Sequence, residues 1–266
     1  MYHELPPFSL EEVTTDTRAN GTEHMILWHR GGFSGSYLAR NNPDSLAWRE
    51  AFIDTHLQRD FSALGVRVPA TAMRRFWEML AHVHGQLWNA AKLAASLAVT
   101  APTMKHDLDT LEDTFMVRQL PPLASNLTKR LVKSPTVYLR DSAILHALLR
   151  SGSIDDLLGH PIAGASWEGW GIEQALVASG PQTTASFFRT AAGAEIGLVL
   201  DRPRGERIAI EIKLSTAPQP TRGFWTGMQD VGPSVGYVVY PGKERYRLAP
   251  DLEALPVAML ADVLRG

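Results

Sequence analysis

Cysteine is absent from the 266 residues. Its absence excludes a disulfide scaffold, a thiolate metal site and a cysteine nucleophile, and it suits a reducing cytoplasm. An excess of one charge is also lacking. The 26 Lys and Arg stand against 28 Asp and Glu, a net charge of −2. A protein that coats a polyanion is far more basic, so any contact with nucleic acid is confined to a local patch. There is no long apolar run. Leu87–Val99 is broken by Asn89, Lys92 and Ser96 and is too short to span a bilayer. The opening MYHELPPFSLEEVTTD is acidic and holds two prolines, unlike a signal peptide. These absences predict a cytoplasmic chain with no membrane partner.

Several catalytic signatures are missing as well. No G-x-S-x-G elbow, H-E-x-x-H or H-x-x-x-H occurs, so a serine hydrolase and a histidine zinc site are not expected. No G-x-x-x-x-G-K-[ST] occurs either. The one Gly-Lys pair, Gly242–Lys243, precedes Glu244. The nest of backbone N–H groups, the Lys and the hydroxyl that hold nucleotide phosphates and Mg²⁺ are therefore lacking.

What remains reads as a mixed α/β fold in three parts. Residues 1–68 are mixed, with a helix over Ser45–Leu64 on which Arg49 and Arg59 form a solvated face. Residues 69–150 are mostly helical. Met73–His84 and Ala90–Leu97, the latter capped by Asn89, precede a third helix over Ala101–Thr114. Thr100 caps that helix, and Pro102 sits in its first turn. Two β-like runs follow, Phe115–Leu120 and Thr136–Arg140. This order is that of a winged helix-turn-helix.

A DNA-reading third helix offers Lys, Arg, Asn or Gln to base edges. Here Asp107, Asp109, Glu112 and Asp113 stand against Lys105 alone, a charge of −3 that repels phosphate. The basic charge comes later. Arg118, Lys129, Arg130, Lys133, Arg140 and Arg150 stand against Asp141, a balance of +5. Of these, Arg118, Lys129, Arg130 and Lys133 are the candidate nucleic-acid contacts, with a solvated loop or a surface for another domain as the alternative.

Residues 151–266 run helix, strand, strand, strand, helix, strand. The helix is Ala165–Ser179 and carries Glu168. The strands are Thr184–Thr190, Glu195–Leu200, Arg207–Leu214 and Val235–Tyr240, with a helix near Gly223–Val231. Ile208, Ile210 and Ile212 alternate with Ala209, Glu211 and Lys213, so Glu211 and Lys213 share one strand face. A carboxylate supplies a hard oxygen for Mg²⁺, and a lysine beside it orients water or neutralises phosphate charge. A plain ion pair is the competing account.

The order and the Glu-x-Lys pair resemble the PD-(D/E)XK nuclease-like fold, and the spacing around Glu168 resembles that of archaeal Holliday-junction resolvases. Longer runs carry a wider resemblance: ELPPFSLEEV (4–13), LWHRGGFSGSYLA (27–39), LPPLASNLTKRLVKSPTVYLRDSAILHALL (120–149), HPIAGASWEGWGIEQAL (160–176), FFRTAAGAEIGLVL (187–200), IAIEIKLS (208–215) and YPGKERYRL (240–248). These look like bacterial AAA-type ATPases that end in the domain of unknown function 4143. The resemblance implies that residues 1–68 are a lid-like remnant of an ATPase module. It also implies that 69–150 are the winged helix-turn-helix-like domain and 151–266 the nuclease-like domain. A P-loop ATPase domain or subunit is the implied partner, and the chain is expected to begin just after the ATPase core.

The resemblance also places a metal-binding Asp where this chain has Gly197, since the family's run reads GAEIDLVL. Glu168, Glu211 and Lys213 remain as candidate catalytic residues, with Glu211 and Glu195 as candidate metal ligands and Mg²⁺ as the candidate ion. Glu195 is read as a substitute ligand on the strand face of Gly197, or else as an ion-paired surface residue. Two functions stay open. One is a non-catalytic portion that docks DNA or a partner protein. The other is a Mg²⁺-dependent endonuclease. The oligomeric state is not legible.

Overall fold

The computed structural model describes residues 5–14, 22–63, 68–124 and 131–265. Contacts divide the chain into two compact units. One comprises residues 1–119 and 137–169, the other 120–136 and 170–266. Residues 1–68 and 69–119 thus share a unit, whereas a three-part layout separates them. No helix among the described residues is long and apolar enough to cross a membrane.

In the first unit the helices start where side-chain caps satisfy their free N–H groups. Asn41 accepts from the Asp44 N–H at 2.8 Å and opens Asn42–Thr55. Asn89 and Thr100 cap Ala90–Leu97 and Ala101–Asp113, as their positions predict. The first of the three helices is Ala70–His82, shifted toward the N-terminus from the expected span. A two-residue strand β1, Gln86–Leu87, follows it. With β2, Val117–Leu120, and β3, Thr136–Leu139, it forms a sheet of order β1-β3-β2. The expected Ser45–Leu64 helix is interrupted. A π-helical turn, His56–Asp60, separates Asn42–Thr55 from Phe61–Ala63.

Arg49 corrects the sequence reading. It lies inside the unit at 0% exposure, not on a solvated face. Its guanidinium donates to the carbonyls of Ser45 at 3.1 Å and Ala143 at 3.2 Å. Desolvation lowers its pKa to about 10, against the opposing pull of Asp141. Asp141 is buried too. It caps Ser142–Leu148 by accepting from the N–H groups of Ala143 and Ile144, and it also accepts from the Gly32 N–H at 2.9 Å.

Four buried histidines share this unit: His29, His56, His84 and His146. His84 accepts from the Leu139 N–H at its Nδ1 and donates from Nε2 to the Ala165 carbonyl, so it is a neutral ring with one tautomer. Burial lowers the pKa of His84 and of His29 to about 4, and that of His146 well below 6.5.

The second unit is a six-stranded mixed sheet of order β4-β5-β6-β7-β9-β8. Its strands are β4 Thr184–Arg189, β5 Glu195–Asp201, β6 Arg207–Ile212, β7 Val235–Tyr240, β8 Tyr246–Ala249 and β9 Leu252–Pro256. β6, β7 and β9 run parallel, and the other pairs are antiparallel. One face packs Phe188, Ile196, Val199, Ala209 and Val238 with Phe224 of the helix Arg222–Val231. On the other face, Gly171 of the helix Ala163–Ser179 lies against Ile212, where a Cβ would come within 3.0 Å of that side chain. The outer edge of β4 is covered rather than open. The Leu123 N–H donates to the Phe187 carbonyl at 2.7 Å, and the Val132 N–H to that of Arg189 at 3.1 Å.

Two outcomes are expected from these contacts. A Cβ at Gly227 would lie 2.7 Å from Ile196 Cγ1 and 3.1 Å from the Glu195 carbonyl oxygen. Gly227→Val therefore overpacks the helix–sheet interface, and urea denaturation should show a loss of about 1–3 kcal/mol. The buried histidines predict the acid limb of the stability profile. Their pKa values are lower in the folded chain than in the unfolded one, so unfolding takes up protons. Stability is complete above pH 6.5 and falls as the pH drops toward 4. For His84 alone the loss approaches about 3 kcal/mol. Asp141, whose carboxyl is pushed up by burial, acts in the opposite sense at the acid end. Urea midpoints between pH 7.5 and 4.5 check this, and a flat profile would contradict it.

Candidate functional site

Glu211 occupies the penultimate position of β6 and is 9% exposed. Both of its carboxylate oxygens are engaged. Oε1 pairs with Lys213 Nζ at 2.9 Å, and Oε2 accepts from the Thr221 N–H at 3.1 Å. Thr221 is the N-cap of Arg222–Val231 and accepts from the Phe224 N–H through its hydroxyl. The carboxylate therefore fixes the start of the helix that covers one face of the sheet. Lys213 continues the β6 line, its N–H donating to the Val239 carbonyl at 2.8 Å.

The remaining acidic candidates have partners of their own. Glu195 pairs with Arg189 of β4 at 2.5 Å, and its side chain is 46% exposed. The β4–β5 pairing carries a register shift beside it. Ser186 faces Val199 and Phe188 faces Ile196, so three β5 steps oppose two β4 steps, with the extra residue within Gly197–Leu198. Such a bulge reverses the alternation. Ile196, not Glu195, joins Val199 in the core. The β5–β6 ladder ends at Leu198↔Ile210, one step before Gly197 and Glu211. Glu168 belongs to the first unit, where the Tyr138 hydroxyl donates to it at 3.2 Å.

Mg²⁺ needs several oxygens in near-octahedral array. Around Glu211 the donor set falls short. Lys213 occupies one oxygen, a backbone N–H the other, and Gly197 adds no side chain. Among the described residues no group of three or more His, Asp or Glu is arranged to hold a metal. The residues present do not fit the ion. The acid contributed by Glu211 is held by its own chain.

Of the basic candidates, Arg118 lies on β2 and has a partner of its own, and Lys133 is exposed. Lys129 and Arg130 fall outside the described residues. The backbone flanking Lys129 and Arg130 runs along the edge of β4, through Leu123 on one side and Val132 on the other.

Sequence reasoning also passed over a Ser–His pair. His146 Nδ1 donates to the His29 carbonyl, which leaves Nε2 to accept from the Ser166 hydroxyl at 2.7 Å. Trp28 Nε1 donates to the same oxygen at 3.0 Å. The arrangement has the proton direction of a hydrolase dyad. Both residues are at 0% exposure, so no substrate reaches them and the pair serves packing. The spacing of 20 residues gave no motif that could have flagged it.

Comparison with known proteins agrees with the domain expected at the C-terminal end. Residues 163–260 match the family model of DUF4143, a domain of unknown function. Residues 24–155 match a second domain of unknown function, DUF8612. Uncharacterised proteins of Mycobacterium tuberculosis and Mycobacterium bovis are each 43% identical to the chain over 235 residues, which is 86% of this chain and 52% of theirs. The chain thus spans about half the length of these curated relatives. A MarR-family protein of Mycobacterium tuberculosis, solved in complex with salicylic acid, is 20% identical. The match covers 46% of this chain and 86% of that one, with a TM-score of 0.23. That score carries no argument about the fold.

The geometry around Glu211 makes a structural prediction. Glu211→Ala leaves the Thr221 N–H without its acceptor and Lys213 without its counter-ion. The DUF4143 segment should lose about 1–3 kcal/mol in urea denaturation. An unchanged midpoint would mean that the carboxylate does not anchor the helix.

Proposed function

We propose that the chain is a docking portion, without catalysis of its own, of a larger cytoplasmic ATPase-type protein. In this reading the first unit is a winged helix that meets a protein partner, and the DUF4143 segment is a nuclease-like sheet that has given up metal chemistry. The partner is a P-loop ATPase domain or subunit. One observation carries the proposal. The carboxylate of the Glu-x-Lys pair is bonded at both oxygens within its own chain, and among the described residues no group of three or more His, Asp or Glu is arranged to hold a metal.

The order of elements and the sheet order β1-β3-β2 support the winged-helix reading. The third helix favours protein over DNA. Its solvent-facing side carries Asp109, Glu112 and Asp113, and its Lys105 is paired to Asp109 at 2.7 Å. Net negative charge there opposes phosphate and suits a basic protein surface.

DNA binding and cleavage provide the test. Duplex and branched DNA with Mg²⁺ or Mn²⁺ should remain intact. Affinity by fluorescence anisotropy should stay in the non-specific range, roughly 10⁻⁴–10⁻⁶ M at physiological salt. A purified P-loop ATPase from the same cell should form a complex that weakens as salt rises and weakens further with Asp109→Lys/Asp113→Lys. Metal-dependent cleavage abolished by Glu211→Ala would overturn the proposal in favour of an endonuclease.

A further inference from the structure

A solvent-facing cavity of about 400 Å³ lies within the first unit. That volume is in the range of small-ligand pockets. Leu46 and Ile53 of the helix Asn42–Thr55 give it an apolar floor, continued by Ala147 at the end of Ser142–Leu148. Two helices supply the charges. Glu50 and Asp54 lie one turn apart on Asn42–Thr55, and Arg74 and Glu78 one turn apart on Ala70–His82. Asp54 and Arg74 pair with each other across the two helices. Glu50 and Glu78 have no hydrogen-bond or ion-pair partner among the described residues. Arg150 is the remaining charge on the rim, so two carboxylates face one cation and the lining is left at −1.

We propose that this cavity binds an organic cation on an apolar stem, an alkylguanidinium or alkylammonium group. The stem lies against Leu46, and the cation meets Glu50 and Glu78. Long cationic side chains and amines bury their methylenes on apolar surface in this way while the head keeps polar partners. A guanidinium suits a pair of carboxylates best, because its planar fork donates several N–H groups at once. An anion is disfavoured, since Arg74 is already neutralised and Arg150 alone opposes two carboxylates. The same chemistry arrives either as a free amine or as an arginine or lysine side chain of a protein. The lining shares no residue with the Glu211 pair or with the acidic third helix, so the proposal stands or falls independently of the docking reading.

Calorimetric titration and melting of the full chain test it with three probes: agmatine, a capped tripeptide with a central arginine, and succinate. Binding should be saturable and raise the melting temperature with concentration. It should weaken about tenfold or more in Glu50→Gln/Glu78→Gln, as expected for lost charge-assisted bonds. Both substitutions are isosteric at solvent-facing positions, and the unliganded melting temperature verifies that the variant folds. A response to agmatine alone assigns a free amine, and a response to the peptide alone assigns a protein side chain. A response to both leaves the cation site itself established. Saturable binding of neither cationic probe overturns the proposal. So does an affinity unchanged in the double variant, or equal binding of succinate.

Discussion

The second unit depends on the two oxygens of one carboxylate. Glu211 stands near the end of a central strand, almost out of water, and a buried carboxylate is tolerated only when its lone pairs are taken. The chain satisfies them locally. Lys213, two residues on, neutralises one oxygen, and the Thr221 N–H occupies the other. From there the constraint propagates. Thr221 caps Arg222–Val231, whose Gly223 and Gly227 let it sit against β5, and Phe224 then completes the core with Phe188, Ile196 and Val238. A residue type that resembles a metal ligand in sequence is here the anchor of a helix.

The first unit meets the same physical problem with a different solution. Arg49 and Asp141 are both buried, and neither relies on a direct ion pair. Backbone carbonyls receive the guanidinium, and backbone N–H groups satisfy the carboxylate. Neutral histidines and the Ser166 hydroxyl share that interior with large apolar side chains. Such a core is costly to leave half satisfied, so it holds the helices in one arrangement. That leaves the outer side chains free to differ in charge. They do so in two places, the acidic side of Ala101–Asp113 and the carboxylates of the open cavity.

Local signals were readable from the residues. Asn89, Thr100 and Pro102 mark helix starts because capping is a matter of three or four neighbouring residues. Ile208, Ile210 and Ile212 mark a strand because the two-residue period needs no partner. What depended on distant partners was not readable. Arg49 is buried because a carbonyl 94 residues away receives it. The bulge beside Gly197 exists only relative to β4, yet it decides that Ile196 joins Val199 in the core while Glu195 pairs with Arg189. β9 is five residues ending in Pro256, too short to declare itself, although it lies between β7 and β8 in the sheet. At the candidate site, Glu211 and Lys213 were legible as a pair. Their third partner, a backbone N–H ten residues on, carries no side-chain signature.

The central claim is that Glu211 is a structural carboxylate and not a metal ligand. Titration of Mn²⁺ into the intact chain, followed by electron paramagnetic resonance of the free ion, tests it most directly. Competition between a bound metal and Lys213 would appear as uptake of one ion per chain. The account predicts no such uptake, and the same free-ion signal for wild type and for Glu211→Gln. Stoichiometric Mn²⁺ binding by the wild type that Glu211→Gln abolishes would contradict it.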